Sequence, residues 1–239
     1  MYDAVILSDL HLGSSVCQAR RLGEFLQRLE SGELLTQRLL LNGDVFDSID
    51  FRRLAKSHWM VLSHLRKLAE SIEVIWIAGN HDGSAEIISH LLGVSVRDEI
   101  ILESGTKRFL VLHGHVFDSF IQSYPLLTAL ADRVYRFLQW LDRTHHFAKM
   151  AKRGSKTFLR NTRKIAEGAI DLARKRGCTA AICGHTHHAV LQNEGTVAYY
   201  NSGCWTELPC TYLTLRDGEV LLHEFTPATQ PELVLTDTR

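Results

Sequence analysis

The chain has 239 residues, 45% of them hydrophobic and 23% charged, with 27 Lys plus Arg balanced by 27 Asp plus Glu. This is an ordinary soluble composition, long enough for one well-buried core, and the charge balance by itself names no partner. The opening MYDAVILSDL lacks a basic segment followed by a long apolar one, and no run approaches about 18 apolar residues, so neither a secretory leader nor a spanning helix is expected. Cys17, Cys178, Cys183, Cys204 and Cys210 are odd in number and form no CxxC pair, which suits free thiols in a reducing cytosol.

In chain order, DAVILS (3–8) reads as a buried strand and residues 15–29 as a helix with Leu22, Phe25, Leu26 and Leu29 on one face. RLLLN (38–42) is a second strand and 51–70 a second amphipathic helix. VIWIAG (74–79) is a third strand, followed by a short helix from Ser84 to Leu92. KRFLVLHG (107–114) is a fourth strand. Residues 116–176 carry an almost wholly helical pattern. TAAICG (179–184), TVAYYNS (196–202), TYLTL (211–215) and EVLLHEF (219–225) return to strands, with RDGE (216–219) as a hairpin turn and the tail after 225 loosely ordered.

The early strands end alike. SDLHLG, NGDVFD, AGNHD, LHGH and CGHTHH each place Asp, Asn or His just beyond an apolar run, usually beside a glycine. Any one of these alone reads as a capping pair, a turn or a loop histidine. Together they converge, because strand ends of an α/β sheet meet at one edge, where ligand sites form. On extended chain, side chains at i and i+2 point the same way, so Asp9 with His11, and His185 with His187, can each grip one ion, leaving His188 off that face. Oxygen, amide and imidazole donors without thiolate suit manganese, iron, zinc or magnesium. Asp9, His11, Asp44, Asn80, His113, His185 and His187 are too many for one ion but suit two ions sharing a carboxylate, a pair suited to phosphoryl displacement. Cys183 is expected to pack into the core.

DLHLG, GDVFD, GNHD, HGH and GHTH, in this order over about residues 5–205, resemble the signature blocks of the calcineurin-like metallophosphoesterases. The resemblance implies an α/β fold, a four-layer α-β-β-α sandwich of two mixed sheets in one domain, with 116–176 as a helical insertion or cap. It assigns Asp9, His11, Asp44 and His187 to one metal and Asp44, Asn80, His113 and His185 to the other. Asp44 is then the bridge. His81 matches the histidine over the phosphate, as proton donor or charge stabiliser, and Asp47 the acid that orients it. Attack by a metal-activated hydroxide, with no phospho-enzyme, is the implied mechanism.

Substrate signals lie in the insertion. VFDSFIQSYPLLTALADRVYRFLQWL is apolar and aromatic, and Arg143–Arg176 carries eleven basic residues against two acidic ones. An apolar surface beside a cationic one suits a phosphorylated amphiphile or an anionic membrane surface; ordinary helix packing and a solvated basic face are the plainer alternatives. Nucleic acid is not expected, since aromatics are not interleaved with the basic residues as stacking platforms. The insertion and NSGCWTE (201–207) resemble the bacterial UDP-2,3-diacylglucosamine diphosphatases of lipid A synthesis. That implies a lipid-linked nucleotide substrate, two divalent ions with manganese foremost, and a cytoplasmic protein at the inner face of the membrane. Ser155, Arg160, Asn161 and Lys164 would then face phosphate and sugar. His81 departs from the arginine that some of those enzymes carry. A general metallophosphoesterase and a non-catalytic scaffold of the same fold are the alternatives.

Overall fold

The computed structural model describes residues 1–84, 89, 90, 92–118, 156–193, 195–227 and 233–235. Among these, one seven-stranded mixed sheet has the order β12-β11-β10-β1-β2-β3-β4, and a five-stranded mixed sheet has the order β5-β6-β7-β9-β8. The first is built from β1 (Ala4–Leu7), β2 (Arg38–Asn42), β3 (Glu73–Ile77), β4 (Ser95–Arg97), β10 (Cys210–Arg216), β11 (Glu219–Phe225) and β12 (Leu233–Leu235). The second comprises β5 (Glu99–Ser104), β6 (Lys107–Leu112), β7 (Ala180–Cys183), β8 (Val190–Gln192) and β9 (Ala198–Asn201). The helices are α1 (Ala19–Glu30), α2 (Lys56–Leu68) and α3 (Lys156–Lys175).

Alternation along continuous apolar strands splits the core in two. Val5, Leu7, Leu39, Leu41, Val74 and Trp76 join Leu22, Phe25 and Leu26 of α1 and Val61 and Leu65 of α2 in one cluster. Their neighbours Ala4, Ile6, Leu40, Ile75 and Ile77 instead meet Phe109, Val111, Ala180 and Ile182 of the second sheet. Strands buried on both faces must be apolar at every position, which is why they read as unbroken runs rather than as alternation. Each fully buried Leu, Ile or Phe contributes about 1.5–3 kcal/mol.

At the carboxyl ends of the strands the face between the sheets turns polar. Ser8, Asn42 and Ser202 are fully buried there, and the Ser8 hydroxyl pairs with that of Ser202 at 2.7 Å and donates to Gly203 O at 2.9 Å. Gly184 is small for a reason: a Cβ would lie 2.6 Å from Asp9 Oδ2 and from Ser8 Cβ.

Several elements differ from the sequence expectation. The expected helix over 51–70 is a 3₁₀ turn, Phe51–Arg53, followed by α2. Asp50 caps the turn by accepting from Arg52 N–H at 3.3 Å, and extended Leu54 breaks the helical run. Strands β4, β5 and β8 were not expected: two have only three residues, and β5 sets its apolar residues between charged or polar ends. In the tail, Leu233–Leu235 pairs antiparallel with β11, where looseness was expected. RDGE forms its hairpin with Asp217 (φ 51°) and Gly218 (φ 78°) both left-handed, as a two-residue turn of this hand requires. The short helix expected over Ser84–Leu92 falls partly outside the described residues.

The chain divides into two compact units, Met1–His113 with Ile170–Arg239, and Gly114–Ala169. Both sheets belong to the first. In the second, a 3₁₀ turn (His115–Phe117) and α3 up to Ala169 are described, and Asn161 Nδ2 donates to Asp118 Oδ2 at 2.9 Å. The apolar helices expected over 119–155, and Ser155, lie outside the described residues. No described helix is long and apolar enough to cross a membrane.

Candidate metal centre

The residues after β1, β2, β6 and β7 gather into two groups: Asp9, His11 and His187, and Asp44, His113 and His185. Within each group one ligand atom per residue lies within 4.8 Å of the others. Asp44 stands between the groups. Its Oδ2 is 3.3 Å from His113 Nε2 and 3.8 Å from His11 Nε2. In the first group Asp9 Oδ1 and His11 Nε2 both lie 3.2 Å from His187 Nε2. The remaining carboxylate oxygens fix the loops, with Asp9 Oδ2 accepting from His185 N–H and Asp44 Oδ1 from His81 N–H, each at 2.9 Å.

Backbone shape aims these side chains. Six described non-glycine residues have positive φ, and five are Asp9 (54°), His11 (48°), Asp44 (52°), His185 (66°) and His187 (57°); the sixth is Asp217 of the hairpin. Left-handed backbone is uncommon outside glycine, and strain of this kind clusters at functional sites. It also corrects the extended-chain argument above. His185 and His187 do not share an ion-sized group, because β7 has ended at Cys183 and neither residue is extended. His188 belongs to neither group.

His113 and His187 face inward by Nε2 because their other nitrogens are committed. His113 Nδ1–H donates to Asn42 O at 2.8 Å, and His187 Nδ1 lies 3.3 Å from the Thr206 hydroxyl. Histidines that hold metals are oriented this way, by a hydrogen bond on the far nitrogen. The electrostatics call for positive charge. Burial alone would raise the Asp9 carboxyl, yet His187 beside it holds it down at about 2. Burial likewise opposes protonating His113, but the Asp44 carboxylate pushes it up to about 9. His187 is raised well above the usual range, against its burial, by Asp9. Carboxylates that draw protons onto neighbouring imidazoles make a donor set that fits divalent cations.

His81 lies beside the first group, its ring edge-on to His11 at 5.2 Å. Asp47 orients it, but by a different atom from the one expected. His81 Nδ1–H donates to the Asp47 main-chain carbonyl at 3.1 Å. The Asp47 carboxylate is committed elsewhere, 2.5 Å from Arg53 Nη2 and 3.6 Å from His11 Nδ1. Arg53, a neighbour the sequence did not single out, also donates to Ser48 Oγ at 3.0 Å. Asn80 is exposed. Arg160 and Lys164 are exposed on α3 and Asn161 is half-buried, all three in the second unit. Cys183 is buried in β7, its thiol pushed up to about 12 by burial, and all five cysteines are free thiols.

Asp82 was also missed, although it closes the GNHD block. It is fully buried, and its carboxylate accepts from Asp44 N–H (2.9 Å), Phe46 N–H (3.0 Å), Gly79 N–H (2.9 Å) and the Trp76 indole (3.0 Å). The loops bearing Asp44 and Asn80–His81 are therefore tied to one side chain. Replacement by alanine would strand four donors, at about 1–3 kcal/mol for each left buried. Asp82→Ala is expected to lose at least about 3 kcal/mol in denaturant unfolding of the metal-free protein; a loss below about 1 kcal/mol would remove this role.

A second expectation concerns pH. The folded pKa of His113, about 9, exceeds the reference 6.5, so its contribution to metal-free stability is complete below about 6.5 and is lost as pH rises through 9. Metal binding must displace that proton, so affinity should rise over the same interval. Unfolding midpoints and metal titrations between pH 6.5 and 9 should move in opposite directions, and a pH-independent affinity would contradict this.

Known proteins place the geometry in context. No curated protein matches the sequence. YfcE, a phosphoesterase from E. coli, shares 15% identity, covering 97% of each chain with a TM-score of 0.53. Wild-type Vps29 from Entamoeba histolytica, complexed with zinc, shares 17% identity over 97% of this chain and 96% of its own, with a TM-score of 0.50. Vps29 from Chaetomium thermophilum shares 10%, covering 97% and 94%, with a TM-score of 0.52. At these identities the likeness is one of fold. The model of the calcineurin-like phosphoesterase family matches residues 3–189, and the chain belongs to that family.

Proposed function

We propose that the protein is a dinuclear-metal phosphohydrolase that cleaves the pyrophosphate of UDP-2,3-diacylglucosamine to UMP and 2,3-diacylglucosamine 1-phosphate. The observation that carries the hydrolase reading is Asp44 Oδ2, 3.3 Å from a ligand nitrogen of its own group and 3.8 Å from one of the other. Asp9, His11, Asp44 and His187 would hold one ion, and Asp44, Asn80, His113 and His185 the second, with manganese as the proposed metal. When bound, such a pair supplies Lewis-acid charge to the phosphoryl oxygens and a water of lowered pKa.

The chain's own residues do the rest. Asp44 keeps the groups adjacent. His81, its Nδ1–H fixed on the Asp47 carbonyl, presents Nε2 as the atom that donates a proton or hydrogen bond to the leaving oxygen. Asp47 thereby positions both His81 and, through its carboxylate, His11. The lipid-nucleotide substrate is supported by the apolar and then basic order of the insertion at 116–176, proposed as a cap. It is further supported by the exposed cations Arg160 and Lys164. Asn161 would reach the substrate through its Oδ1 or the amide hydrogen it does not give to Asp118. The same basic run would make a peripheral contact with the anionic inner face of the membrane.

UMP release from UDP-2,3-diacylglucosamine by metal-stripped protein should appear only after manganese is added. Turnover of a simple phosphodiester alone would keep the phosphohydrolase and remove the lipid assignment. Two bound ions with no turnover of either substrate would favour the scaffold. His81→Ala should keep its metals and lose roughly 10²–10⁴-fold in kcat; unchanged turnover would exclude His81 from proton transfer.

A further inference from the structure

His185 sits at the centre of a turn that its backbone disfavours. Its φ is 66°, and Thr186 N–H donates to Gly184 O across it at 2.7 Å. An i to i+2 closure around a left-handed residue is a rare, strained γ-turn. Two residues on, His187 is also left-handed, at 57°. Such conformations cost on the order of 1–3 kcal/mol each and persist only where their surroundings over-determine them.

Asn201, the last residue of β9, supplies that constraint. It is fully buried. Its Nδ2 donates to Gly184 O at 2.6 Å and to Thr186 Oγ1 at 3.2 Å, one residue to each side of His185. Its Oδ1 accepts from Gly203 N–H at 3.0 Å. Because a carbonyl faces the nitrogen and an N–H faces the oxygen, the amide has one orientation here. Thr186 is also the only residue between His185 of one group and His187 of the other. The carboxamide therefore grips the segment from which both groups take a ligand.

We propose that Asn201 is a positioning residue for both groups at once, so that its loss weakens both ions. The inference rests on the dinuclear reading of the site. Asn201→Asp tests it at nearly constant size, since the oxygen that accepts from Gly203 is kept while the donor is replaced by an oxygen facing Gly184 O. Manganese alone is titrated calorimetrically into metal-stripped wild type, Asn201→Asp, Thr186→Val and His187→Asn. The wild type should bind two ions. Asn201→Asp should weaken both by about 10–100-fold, the usual scale for residues that orient ligands. Thr186→Val loses one acceptor only and should weaken both by a smaller factor; it carries the test if Asn201→Asp does not fold. His187→Asn should weaken one ion selectively. A lowered unfolding midpoint of metal-free Asn201→Asp with both affinities retained would overturn the proposal, and so would weakening confined to one ion. Failure of the wild type to bind two ions would instead sink the dinuclear reading itself.

Discussion

Two buried carboxylates, Asp9 and Asp44, set the terms for the rest of this structure. An ionised carboxylate taken out of water is tolerated only when paired and hydrogen-bonded. Each here receives a main-chain N–H on one oxygen and turns the other towards imidazoles. The backbone bonds tie each carboxylate to another loop, Asp9 to His185 on the second sheet and Asp44 to His81 after the neighbouring β3, so compensating the charge also assembles the site. Without a cation, the imidazoles answer by holding protons, as the raised positions of His113 and His187 show. Divalent ions meet the same demand with more charge and no proton.

The sandwich makes this burial possible. Its strands alternate between a helix-facing and a sheet-facing core, and only at their carboxyl ends does the inner face become polar. Ser8 and Ser202 close the gap between sheets with a hydroxyl pair. The apolar body below excludes water from the carboxylates, while the loops above carry the histidines that face them.

Much of this was legible in the sequence, for identifiable reasons. Buried strands announce themselves as unbroken apolar runs, and five of them ending in Asp, Asn or His mark one edge as a site. Composition cannot reveal where the backbone departs from extended geometry. Reading HTH as alternating chain put His185 and His187 on one ion, and their left-handed φ values separate them. Asp47 shows a related limit: its carbonyl serves His81 while its carboxylate pairs with Arg53. No spacing rule distinguishes a main-chain acceptor from a side-chain one. The short strands β4 and β8 were hidden because three residues carry no period.

Asp82 and Asn201 went unnoticed for a reason that also explains what they do. Neither belongs to a ligand group, and a lone Asp or Asn beyond a strand reads as a cap. Yet each is a fully buried polar side chain whose hydrogen-bonding atoms are spent on loop backbone or its near neighbours. Asp82, in the loop after β3, holds that loop and the one after β2, and Asn201, at the end of β9, holds the loop after β7. A site made of left-handed residues at strand ends would relax towards ordinary backbone if its loops were free. Ligand geometry therefore depends as much on these two unexposed residues as on the histidines and carboxylates they support.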